Sequence, residues 1–109
     1  MQQVLPYTLR TSTGTQWEFA FPLHADTVSP MRVSQLLTEL LATLDRELKV
    51  LGQTANGDVL QALAMALAAR AVMIEAPADI TLRLAHDLYD TAATAAAAGR
   101  KLTPGAGRA

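Results

Sequence analysis

The sequence predicts a mainly α protein with a small N-terminal β-hairpin, an α+β chain of order β-β-α-α-α with a three-helix bundle-like core, assembled as a dimer. Three observations predict it. Apolar residues alternate with polar ones up to about residue 22 and recur at helical spacing from residue 33 onward. Proline and glycine fall between these stretches, where turns and caps need them. The middle helical stretch is apolar on two sides, more than one face of a bundle can bury.

The hairpin, over residues 3–22, comes first. Tyr7 and Leu9 alternate with Thr8 and Arg10, and Trp17, Phe19 and Phe21 alternate with Gln16, Glu18 and Ala20, so each strand has one apolar face. A three-residue loop, Ser12-Thr13-Gly14, places Gly14 at the left-handed position that follows a type I turn. That loop sets Leu9 opposite Trp17 and Tyr7 opposite Phe19. A two-residue loop would oppose Leu9 to Glu18 and split the apolar faces, because a one-residue slip turns every side chain over. Pro6 either limits the first strand or marks it as an edge. A hairpin alone is marginal in water, so its aromatic face calls for a cover, which the helices or a dimer axis would supply.

The first helix starts at Ser29-Pro30, an N-cap followed by a proline whose missing N–H costs nothing at the first helical position. Val33, Leu36, Leu37, Leu40, Leu41, Leu44, Leu48 and Leu51 then form an apolar face, and Gly52 ends the helix. Asp45 and Lys49 are correctly ordered for an i,i+4 pair worth a few tenths of a kcal/mol. The second helix, from about Asp58 to Glu75, has no charge between Asp58 and Arg70. Leu60, Leu63, Leu67 and Ile74 make one stripe, and Ala62, Met65, Ala69 and Val72 make another on nearly the opposite side. It is too short for a membrane span, which takes roughly 20 apolar residues. Pro77 stops it. The third helix is expected to start with Asp79 as N-cap, to bury Ile80, Leu84, Leu88, Ala92 and Ala95, and to end at Gly99. Asp79, Arg83 and Asp87 form a ladder suited to its wet side. Residues 1–102 are thus read as one domain, with the helical bundle over 29–102 and a flexible tail over 103–109.

Composition excludes more functions than the motifs suggest. The 109 residues are 50% apolar and 17% charged, enough apolar surface for a folded domain. A net charge of −1, with lysine only at positions 49 and 101, argues against a nucleic-acid or anionic-membrane partner. Without cysteine there is no disulfide, thiolate metal site or thiol nucleophile. The N-terminal residues lack the pattern of a secretory leader, and a cytoplasmic protein is expected.

His86 and Asp90, four apart on the third helix, could offer a nitrogen and a carboxylate to one metal ion, with Asp87 beside them. His24 and Asp26 in the linker could add to them, but nothing in the sequence brings the two pairs together. A wet His-Asp pair explains them more economically, and no cofactor or metal is assigned. Asp45 and Glu47 point to different sides of their helix, which is poor geometry for acid-base work. The serines lack a neighbouring base pattern. Asn56 and Asp58 read as helix capping rather than as a phosphate loop. Strand-borne aromatics can stack on bases, but Glu18 sits among them and only Arg10 is near.

What remains are apolar surfaces. Ala62, Met65, Ala69 and Val72, together with Tyr7, Trp17 and Phe19, are the candidate interface residues. The reading is a non-enzymatic, self-associating protein that acts by binding another protein, as an adaptor, assembly factor or chaperone. A nucleic-acid-binding or transcription-associated regulator and a metal-binding domain or enzyme centred on His86 are the alternatives.

Overall fold

The computed structural model describes residues 3–102. The α+β order holds, with three helices, 59% of the described residues helical and one strand more than the hairpin requires. The elements are β1 (Val4–Arg10), β2 (Gln16–Pro22), α1 (Pro30–Leu51), α2 (Asn56–Val72), α3 (Ala78–Ala97) and β3 (Arg100–Leu102). The chain divides into two compact units, one drawn from Met1–Ser34 with Leu88–Ala109 and the other from Gln35–Asp87. The tail expected over 103–109 lies outside the described residues.

The first unit is built on an antiparallel sheet of order β1-β2-β3. Leu9 faces Trp17 and Tyr7 faces Phe19, the register that keeps the apolar side chains together. The loop has the form that register requires: the Gly14 N–H donates to the Thr11 carbonyl at 3.0 Å, and Gly14 takes a φ of 91°. Thr11 adds a side-chain clamp, its hydroxyl oxygen accepting from the Thr15 N–H at 3.1 Å. Thr11 and Leu23 donate their N–H groups to Thr15 and Gln3. Alternation from those two bonds turns the backbone groups of Val4, Pro6, Thr8 and Arg10 away from β2. Pro6 therefore stands where no N–H is needed, on the outer edge of the sheet.

The third strand was not apparent in the sequence. Arg100, Lys101 and Leu102 pair with Glu18, Trp17 and Gln16, so the chain leaves α3 at Gly99 and returns along β2. A strand of three residues has no period to detect, and Arg100 and Lys101 have the composition of a helix end. Glycine at position 99 is a requirement of packing. A Cβ built there would lie 2.5 Å from two atoms of the Phe19 ring. Ala92 and Ala95 on α3, and Gly99 just past its end, are half-buried, while Tyr7 and Leu23 are buried outright.

The helices begin and end largely where the caps predict. The Arg32 N–H donates to the Ser29 hydroxyl at 3.2 Å, and the Val33 N–H donates to the Ser29 carbonyl at 3.1 Å. Gly52 adopts a φ of 83° just past the end of α1. Asp45 and Lys49 pair at 3.3 Å on its wet side. Two caps differ from expectation. Ala55 precedes α2 and offers no side-chain bond, so Asn56 and Asp58 lie inside the first turn, where Asp58 favours the positive end of the helix dipole. Pro77, not Asp79, stands at the N-terminal boundary of α3, its carbonyl accepting from the N–H groups of Ile80 and Thr81. α2 stops at Val72, short of Glu75, since the turn into Pro77 takes up Met73–Ala76.

Within Gln35–Asp87 the buried residues are small: Ala71 on α2, and Thr81 and Ala85 on α3. The stripe expected to face inward at the start of α3 is displaced by one position, because Ile80 and Leu84 are exposed while their neighbours Thr81 and Ala85 are covered. Among the described residues no large side chain is fully buried.

Candidate functional site

Three groups of residues were candidates, and they are placed very differently. The first is α2. Its uncharged run from Val59 to Ala69 makes it nearly as apolar on one side as on the other, in contrast to the strongly one-sided α1. Both of its stripes are open. Leu60 is 66% exposed, Leu63 44% and Leu67 46% on the first; Met65 is 60% and Val72 50% exposed on the second, with Ala62 and Ala69 exposed beside them. Apolar side chains exposed along a whole helix make the kind of surface that a partner ordinarily covers. Residues 36 and 40 on α1, both leucine, are likewise 57% and 67% exposed, although Leu37, Leu41, Leu44 and Leu48 on the adjacent stripe are half-covered.

The second group is the aromatic face of the sheet. Alternation along β2 puts Trp17, Phe19 and Phe21 in one row. The Trp17 and Phe19 rings stack with centroids 6.0 Å apart and planes at 3°, and Phe19 and Phe21 stack at 5.2 Å and 23°. Tyr7, across from Phe19, is buried, whereas Trp17 and Phe19 are half-buried. The structure adds a residue that sequence reasoning left out. Lys101 lies opposite Trp17, with its ammonium 5.6 Å from the ring centroid, a cation–π distance. On the other face of the sheet Arg100 pairs with Glu18 at 3.4 Å. The only signal for either contact was the two adjacent positive charges just after Gly99.

The third group is His86, Asp87 and Asp90, whose potential ligand atoms lie within 4.8 Å of one another on α3. All three side chains are exposed, and His86 Nδ1 is 4.0 Å from Asp87 Oδ1. Helical spacing alone accounts for the grouping. A site that binds metal tightly holds its ligands with a second layer of hydrogen bonds in a sheltered cavity, and water surrounds these. His24 and Asp26 form a separate local pair at 3.9 Å, and the Asp26 N–H donates to His24 Nδ1 at 3.0 Å, a turn-forming bond in the linker. Among the described residues no buried side-chain nitrogen or oxygen lacks a partner, so no orphaned polar group marks a ligand pocket.

No helix among the described residues is long and apolar enough to cross a membrane. Comparison with protein-family models, with curated proteins and with solved structures returned no match.

Proposed function

We propose that this is a non-enzymatic protein of the cytoplasm that works through protein–protein contact, as an adaptor, assembly factor or small chaperone, and that associates with itself through α2. The observation that carries the reading is the exposure of both apolar stripes of α2, a helix without a charged residue from Val59 to Ala69. Removing that surface from water is worth about 25 cal/mol per Å², so a partner face that covers it gains several kcal/mol. The small side chains of Ala62 and Ala69 allow another helix to come close, and Met65 and Val72 fill the gaps between them. Symmetric dimers are the commonest way for a small chain to cover such a seam. Chemistry has no comparable support, since the three candidate ligands on α3 are exposed.

Light scattering coupled to size-exclusion chromatography tests the reading. Wild-type protein is expected to elute as a dimer or larger assembly. Met65→Asp buries an unpaired charge at the seam, a cost of roughly 3–5 kcal/mol, and should yield a smaller or aggregating species. Arg83, exposed on α3, is the control: Arg83→Ala should change neither mass nor fold. A monomeric wild type, with Met65→Asp equally well folded, would refute self-association.

One observation favours a second reading, that of a nucleic-acid-binding regulator. β3 brings Lys101 onto the aromatic row and Arg100 onto the opposite face of the same sheet. Retention on heparin at low salt, lost as salt rises, would support it. Elution with the unbound fraction at low salt would remove it.

A further inference from the structure

The self-association just proposed leaves open whether two finished monomers dock or whether neither copy is complete alone. The residues of Gln35–Asp87 bear on this. Exposed apolar side chains occur on every helical segment of that unit: Leu36 and Leu40 on α1, Leu60 and Met65 on α2, Ile80 and Leu84 on α3. What the unit buries is small, namely Ala71, Thr81 and Ala85, and no large side chain among the described residues is fully buried. A folded domain ordinarily needs such side chains inside, because their burial is the main term that offsets chain entropy.

We propose that a second copy of this chain supplies the missing core, so that residues 35–87 fold and associate in a single transition and no folded monomer of this unit persists. The proposal rests on the self-association reading and goes beyond it. Area supports the second copy as the occupant. Exposed apolar side chains on all three helical segments give two copies more than one face to bury, as the large, hydrophobic interfaces of obligate homodimers require. Charge supports it as well. A surface that covers α2 between Val59 and Ala69 meets no charged residue, so it must be uncharged and apolar itself. A two-fold arrangement provides that without a further requirement, since each copy presents the same uncharged stripes to the other. The two stripes lie on nearly opposite sides of α2, so one flat helix-to-helix seam covers only one of them. The other then falls to the exposed leucines and isoleucine of the partner's α1 and α3, as in an interleaved bundle.

The test is urea unfolding of the full chain at protein concentrations spanning a hundredfold, followed by far-ultraviolet circular dichroism, with sedimentation equilibrium at matched concentrations. If folding and association are one event, the midpoint rises by roughly 1 M urea over that range, and helix is lost together with dimer mass. Two copies of the full chain joined in tandem by a flexible linker should then unfold at a midpoint independent of concentration. Dilution that yields a monomer with its helix intact would overturn the proposal and leave self-association standing. A monomer with full helix at every concentration would overturn both.

Discussion

Gly99 shows how a single residue can fix the layout of this chain. It stands between the alanine-rich end of α3 and the first residue of β3, and it leaves room for the Phe19 ring, which a Cβ would approach to 2.5 Å. Gly99→Ala should therefore destabilise the sheet unit by roughly 1–3 kcal/mol, the usual cost of overpacking, measurable as a lower urea midpoint at fixed protein concentration. An unchanged midpoint would mean that the ring moves aside freely. At His86 the expectation is the reverse. The side chain is exposed and lies beside two exposed carboxylates, so His86→Ala should leave mass and helicity as they are and shift stability by no more than about 0.5 kcal/mol. Zinc that protects the wild type from unfolding, but not the variant, would contradict that and restore the metal reading.

At the scale of elements, the sheet was legible where side chains alternate and hidden where they do not. The Leu9–Trp17 and Tyr7–Phe19 pairing follows from keeping apolar residues on one face, and Gly14 follows from the backbone geometry of the loop. Ser29, Pro30 and Gly52 bounded α1 because capping is local chemistry, decided within one turn of helix. β3 is too short to carry a period, and it forms by pairing with β2, a strand far from it in sequence. The buried positions at the start of α3 were misread for another reason: size ranks Ile80 and Leu84 as core, whereas Thr81 and Ala85 are the residues covered within the single chain. Trp17 is a consequence of the same sheet. Because it is half-buried rather than enclosed, Trp17→Ala should cost roughly 1.5–3 kcal/mol, below the 3–5 kcal/mol of a core tryptophan. Lys101→Ala should alter the native tryptophan emission, because the ammonium that stands 5.6 Å from the ring is removed. An emission spectrum identical to wild type would place the lysine elsewhere in solution.

For the whole molecule, few of the apolar residues described are buried. Half the sequence is apolar, yet the buried hydrophobic residues among those described are Tyr7, Leu23, Ala71 and Ala85. The exposed apolar stripes of α2 were legible in the sequence because the helix carries no charge from Val59 to Ala69, whereas no side-chain pattern in the sequence points to a particular partner. Apolar association is not weakened by salt, so raising ionic strength should leave the proposed assembly intact, unlike one held by exposed ion pairs. The most direct measurement is the mass of the full chain in solution by sedimentation equilibrium, over roughly 1 to 100 μM protein. The account predicts twice the 11.6 kDa of one chain across that range. A mass of 11.6 kDa at every concentration, with the helix content undiminished, would contradict it.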